Sequence, residues 1–144
     1  MSSHVEHVQY VCSNLDAMVG FYAHVFEWRL RGRGTEGGPL SYDWVHIGTD
    51  ESYVAFRTPY NGGAYADEQA RRMDHVGIVV DDWGSFVARL EGLGWPYTVK
   101  GSHPFRRRLY LIDPDGNEIE VIAYTSSDPR ERNDYEIDRR KASK

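Results

Sequence analysis

The chain repeats itself. His7-Val8 returns as His75-Val76, and the same offset of 68 residues brings Met18 onto Phe86, Tyr22 onto Leu90 and Val25 onto Leu93. The order of elements repeats with the residues. "VEHVQYVC" (5–12) reads as a strand from its Val and Tyr content, and the apolar residues of "SNLDAMVGFYAHVFEW" recur at helical spacing behind a capping Ser13 or Asn14. "DHVGIVV" (74–80) is again a strand, and "DDWGSFVARLEGLGW" is again a helix, closed by Gly94 and Pro96. A chain that repeats strand then helix in this way is built from two similar modules.

The strands after each helix complete the pattern. "SYDWVHIG" and "SYVAFRT" flank a turn at 48–51, while "RGRGTEGGPL" reads as loop from its glycines. "PYNGGAYADEQARRM" is a connector, partly helical. In the second half "YTVKG", "RRLYLID" and "NEIEVIAY" are strands, the last two joined by the turn Asp113-Pro114-Asp115-Gly116. The expected fold is α+β: two βαβββ modules whose curved sheets form an open barrel-like cup, with the helices outside. Module one covers about 5–60 and module two about 74–124. Together they make one domain, 1–125, followed by a polar tail, 126–144, that is mobile or an added helix.

Strand alternation assigns faces. Val76, Ile78 and Val80 share the helix side of their strand, so His75, Gly77 and Val79 point away from it; His7 stands with Val5 and Gln9 on the equivalent face. Glu120 lies opposite Ile119 and Val121, again on the face turned from the helix. Two imidazoles and one carboxylate from matching faces form a three-ligand set with open positions, which suits Fe(II) or Mn(II), with Ni or Zn also acceptable. Arg108, in the run Arg106-Arg107-Arg108, is a candidate anion clamp, and Trp44 a candidate stacking surface for a flat ligand.

Composition excludes other classes. With 17 Lys+Arg against 22 Asp+Glu, the net charge of −5 gives no general attraction to nucleic acid or anionic membrane. Cys12 is the single cysteine, so neither an internal disulfide nor a cysteine zinc site is available. No apolar run approaches the roughly 20 residues of a membrane span, and "MSSHVEHVQY" lacks the pattern of a secretory signal. A cytoplasmic protein acting on a small molecule is expected, with no nucleic-acid or membrane partner. No phosphate-binding glycine loop or calcium-loop spacing occurs.

"HVQYVCSNLDAMVGFYAHVFEW", "DHVGIVVDD" and "LYLIDPDGNEIEVI" together resemble the vicinal oxygen chelate superfamily. That superfamily includes glyoxalases, bleomycin-resistance proteins, fosfomycin-resistance transferases and extradiol dioxygenases. The resemblance covers roughly 5–124 and implies metal ligands on the first and last strands of the modules, here His7, His75 and Glu120. The fourth position falls on Ala55, which cannot coordinate; glyoxalase-like enzymes usually carry a second Glu there, so lactoylglutathione lyase activity is put in doubt. The spacing of His103, Tyr110, Asp113-Pro114, Gly116 and Glu120 looks like the extradiol signature. It implies that Tyr110 bonds a substrate oxygen and that His103 orients substrate or relays a proton.

Two features depart from that signature. The extradiol base histidine would fall near Ser52, leaving His46 as its substitute, and extradiol enzymes are usually about twice this length. Lys100 resembles a lysine that the transferases use near anionic substrate groups. The expectation is therefore a small metal-dependent enzyme, leaning to extradiol dioxygenase-like chemistry. The alternatives are a glyoxalase-type lyase or isomerase, a fosfomycin-type transferase, and a metal-free antibiotic-binding protein. A homodimer is the usual assembly for this size.

Overall fold

A computed structural model describes residues 5–65, 75–134 and 137. The chain divides into two compact units, one of residues 1–72 and 113–115, the other of residues 73–112 and 116–144. Each holds one four-stranded sheet, and the fold is α+β.

In the first unit β1 (His7–Val11) leads through α1 (Leu15–Phe26) to β2 (Arg29–Glu36), β3 (Tyr42–Gly48) and β4 (Tyr53–Arg57), in sheet order β1-β4-β3-β2. The first and last strands pair in parallel and the others are antiparallel. Helix α1 starts where Asn14 accepts the Ala17 N–H at 3.0 Å, and ends at Glu27 in the left-handed region (φ 56°). Its buried stripe of Leu15, Met18, Phe21, Tyr22 and Val25 packs on the sheet face formed by Val45, Ile47, Val54 and Phe56. Each such side chain taken wholly out of water stabilises the fold by about 1.5–3 kcal/mol.

The second unit repeats this plan. β5 (His75–Val79), α2 (Trp83–Leu93), β6 (Thr98–Val99), β7 (Arg106–Ile112) and β8 (Glu118–Tyr124) form a sheet of order β5-β8-β7-β6, with β5 and β8 parallel. Asp82 caps α2 by accepting the Ser85 N–H, and Gly94 (φ +67°) ends it. The buried apolar side chains among the described residues are Ile78, Phe86, Leu90, Leu109, Leu111, Ile119, Val121 and Ala123. Of the three helix pairs matched by the repeat, two are buried in both modules. The third is not: Val25 is buried, whereas Leu93 is 45% exposed at the end of α2.

Three elements differ from expectation. The glycine-rich segment read as loop contains β2, since Gly32 and Gly34 pair with His46 and Trp44. A side chain at Gly34 would collide with the Trp44 indole, so this glycine makes room for the ring rather than breaking the strand. The expected strand at "YTVKG" shortens to Thr98–Val99. The tail contributes a helical turn, α3 (Pro129–Arg132), capped by Asp128. In the connector, Tyr60–Gly62 form a 3-10 turn, while 66–74 lie outside the described residues.

The turn at Asp113–Asp115 is counted with the first unit for a physical reason. Tyr22 donates its hydroxyl to buried Asp113 at 3.1 Å, and the Ser13 backbone N–H donates to Asp115 at 3.0 Å. Burial pushes the Tyr22 hydroxyl well above its ordinary range, with the Asp113 charge adding to the effect. Tyr22→Phe keeps the ring and deletes only the donor. It should lower unfolding stability by about 1.5–3 kcal/mol, read from the midpoint of urea denaturation at an unchanged m-value.

Candidate functional site

In the second unit the non-helix face carries a compact polar cluster. The parallel pairing sets His75 opposite Glu118 and Gly77 opposite Glu120, so Glu120 meets no side chain from its register partner on β5. His75 Nε2 lies 3.3 Å from Glu120 Oε2, and the Glu120 side chain is only 14% exposed. On the other side of β8, Tyr110 is the register partner of Glu120 and hydrogen-bonds it. Burial raises the Tyr110 hydroxyl above its usual range, with the Glu120 charge pushing the same way. The phenol therefore stays protonated and acts as a hydrogen-bond donor.

Cations border this cluster. Arg108 Nη1 is 3.8 Å from Glu120 Oε1, and Lys100 Nζ sits 4.9 Å from the Tyr110 ring centroid. The Arg108 guanidinium packs against Gly101, whose φ of +91° already favours glycine. Alternation turns Arg106 and Arg108, but not Arg107, to the face of Tyr110. Tyr124 continues that face along β8, and Arg132 of α3 lies over its ring at 4.3 Å.

The first unit builds a different surface. His7 stacks on Tyr53 with ring centroids 4.7 Å apart, and tilted ring contacts continue the row from Tyr53 to His46 at 4.7 Å and from His46 to Trp44 at 4.6 Å. Arg31 lies over the Tyr53 ring at 4.2 Å. His7 Nδ1 bonds Glu6 Oε1 at 2.9 Å, which leaves its Nε2 as the nitrogen with a free lone pair when the ring is neutral. This hydrogen bond is the main reason that the Glu6 carboxyl sits below its ordinary range. Burial lowers the His46 pKa beneath its ordinary 6.5, helped by the charges of His7 and Arg31 and opposed by Glu6.

Among the described residues, no three His, Cys, Asp or Glu side chains gather as a formed metal site. The second unit does bring two of the three candidate ligands, His75 and Glu120, within reach of one ion, and their imidazole and carboxylate donors fit a divalent metal. His7 stands in the first unit with the carboxylate support that metal-binding imidazoles commonly have. The fourth position is Ala55 on β4, only 1% exposed and in register with His46 and Gln9.

His103 takes another role. It is buried, its Nδ1 accepts the Phe105 N–H at 3.1 Å, and its Nε2 lies 2.9 Å from the Asp134 carbonyl oxygen. An Nδ1 that accepts must be unprotonated, so Nε2 carries the hydrogen and donates it. Both nitrogens are thereby committed to backbone, which leaves neither for the proton relay expected from the spacing. Glu6 and Tyr53 were not among the sequence candidates. Alternation over 5–12 puts Glu6 with Val8 on the helix side, away from His7, and Tyr53 reads as an ordinary strand aromatic.

The family profile described as the Glyoxalase/Bleomycin resistance protein/Dioxygenase superfamily matches residues 4–121. The chain belongs to that superfamily. Among solved structures it is similar to the glyoxylase/bleomycin resistance protein/dioxygenase domain from Frankia sp. EAN1pec, with 23% identity, 86% of this chain and 99% of that one covered, and a TM-score of 0.68. It is also similar to a variant of the genomically encoded fosfomycin resistance protein FosX from Listeria monocytogenes, complexed with Mn(II) and 1S,2S-dihydroxypropylphosphonic acid. That match has 14% identity, covers 88% of this chain and 95% of the other, and has a TM-score of 0.64. A third is TnmS3, an antibiotic binding protein from Streptomyces sp. CB03234, at 18% identity, 86% and 98% coverage and a TM-score of 0.62. At these identities the likeness establishes the fold.

The His103 contacts predict a local effect. His103→Leu should loosen residues 126–134, raising amide exchange at Arg132 and Asn133 by about tenfold or more. Exchange in β7 and β8 should change far less, as hydrogen-exchange mass spectrometry would show.

Proposed function

We propose that the protein is a small metal-dependent enzyme whose divalent ion, Fe or Mn first and Ni or Zn second, is held by His7, His75 and Glu120. The observation that carries this reading is the approach of His75 Nε2 to Glu120 Oε2 at 3.3 Å, on the face that the repeat matches to His7. When bound, the metal would supply Lewis acidity to a small substrate chelated through two adjacent oxygens. The chain's own residues would do the rest. Glu6 orients the His7 ring, Tyr110 donates a hydrogen bond, and Lys100 and Arg108 attract negative charge.

Extradiol dioxygenase-like chemistry on a vicinal diol remains the favoured reaction, because Tyr110 stands beside both Glu120 and His75. The cationic pair Lys100 and Arg108 favours fosfomycin-type transferase chemistry on an anionic substrate as the second reading; FosX is a relative seen with Mn(II) and a phosphonate. Glyoxalase-type lyase or isomerase chemistry lacks a carboxylate at Ala55. A metal-free binder, as the TnmS3 likeness would allow, has no need of the His75 and Glu120 pair. A cytoplasmic homodimer is part of the same proposal.

Metal content tests it. Protein purified without chelators should carry about one Fe or Mn per chain by plasma mass spectrometry, and His75→Ala or Glu120→Ala should lose it. Absence of bound metal, together with no rise in Tm on adding Mn(II), Fe(II), Ni(II) or Zn(II), would sink the reading. Oxygen uptake with catechols would then mark the dioxygenase, whereas anaerobic turnover would rule it out.

A further inference from the structure

We propose that Arg108 determines specificity for an anionic group on the substrate, and that Glu120 occupies it until a divalent ion is bound. The substrate class is a vicinal diol that also carries a carboxylate or a similar anion. This rests on the metal-site reading above and deepens it. The residues concerned, His75, Gly101, Arg108, Tyr110 and Glu120, all lie in the second unit.

One carboxylate serves two partners. Glu120 Oε2 faces His75 Nε2 at 3.3 Å, and its other oxygen, Oε1, is 3.8 Å from Arg108 Nη1. The Arg108 and Glu120 side chains are only 20% and 14% exposed, so water screens the pair weakly. Glu118, the other carboxylate on this face of β8, is in register with His75 and Ile112, at the end away from Arg108. Glu120 and Arg108 together carry no net charge. A divalent ion on His75 and Glu120 would leave that set with two positive charges. A carboxylate that gives its charge to an ion has less to offer a guanidinium beside it. The guanidinium then needs another anion, and a group on the substrate supplies one.

Arg108 does not depend on Glu120 for its place. A side chain at Gly101 would collide with the Arg108 guanidinium, which therefore lies against bare backbone. The Gly101 φ of +91° favours glycine, and the Lys100 N–H donates to the Arg108 carbonyl at 3.2 Å, which holds this segment beside β7. The first module has the same device. Trp44 stands at the point of its ladder that matches Arg108, and it lies against Gly34. Where the first module rests a ring on a glycine, the second rests a planar cation. Its fork of N–H donors matches a carboxylate or a phosphonate. Lys100, 4.9 Å from the Tyr110 ring, and Arg106, two positions away on the same face, add positive charge around it.

Two experiments decide it. The first compares 3,4-dihydroxybenzoate with its methyl ester, catechols that differ by one charge, using titration calorimetry. Mn(II)-loaded wild type should bind the carboxylate about tenfold tighter or more, and metal-free wild type should show no preference. In Arg108→Gln the preference should vanish with Mn(II) content unchanged. Metal-free Glu120→Gln should prefer the carboxylate without any ion. The second reads Mn(II) affinity from the paramagnetic resonance of the free ion, with no anion added. Arg108→Gln should bind Mn(II) about fivefold or more tighter than wild type, because a competing cation is gone. A preference kept in Arg108→Gln would overturn the role of Arg108 while leaving the metal site standing. So would loaded wild type that binds the two probes alike or binds neither. The gate falls if metal-free wild type already prefers the carboxylate, or if Arg108→Gln leaves Mn(II) affinity unchanged. Failure of the wild type to load Mn(II) would overturn the metal reading and this inference with it.

Discussion

Each module hangs on one pairing: its first strand lies parallel to its last. Strands that run parallel cannot be joined by a tight turn, so the chain between them must cross over. Here it crosses as a helix, and that helix needs an apolar floor. Val45, Ile47, Val54 and Phe56 supply it beneath α1, and Leu109, Leu111, Ile119 and Val121 line the corresponding face in the second module. A strand has only two faces, so the side chains that alternate with this apolar floor are turned to the other side. His7, His75 and Glu120 are where they are because the hydrophobic requirement has already claimed the alternate positions.

The same pairing sets the details of the charged cluster. Glu120 faces Gly77 across the β5–β8 ladder, and His75, two residues earlier on the same face, reaches the carboxylate at 3.3 Å. On the opposite flank the antiparallel β7 brings Tyr110 into register with Glu120 and Arg108 into register with Ile122. One carboxylate therefore has an imidazole, a phenol and a guanidinium around it. Each comes from a different residue whose position follows from strand period alone.

That dependence explains what the sequence made legible. Faces with a two-residue period and helices with a repeated apolar stripe could be read directly, and Ser13 or Asn14 and Gly94 mark helix ends by their chemistry. β2 was hidden because its glycines look like loop residues, and the Trp44 ring that needs the room left by Gly34 lies on another strand. His103 fits a catalytic spacing, but its burial and its two backbone partners depend on how residues 103–105 fold and on where Asp134 lies, far along the chain. Glu6 escaped because the alternation read over 5–12 turned it to the helix side, whereas the strand begins only at His7 and Glu6 bonds the His7 ring. In each case the missing information was a contact between segments rather than a local preference.

The two modules share a plan and differ in chemistry. Where the second sets Arg108, Tyr110 and Glu120, the first sets Trp44, His46 and Ala55 at matching points of the ladder. A repeat of this kind begins with equivalent positions, and each substitution changes what one face can do without moving the backbone that holds it. Losing the carboxylate at Ala55 removes a possible ligand and a possible base together. In its place the first module sets an imidazole two strand positions from Trp44 and against Tyr53, its pKa lowered by burial first and by the charges of His7 and Arg31 second. The charged face and the aromatic face are then two unlike solutions on one scaffold, the second suited to hold a ring in place and the first to meet charge.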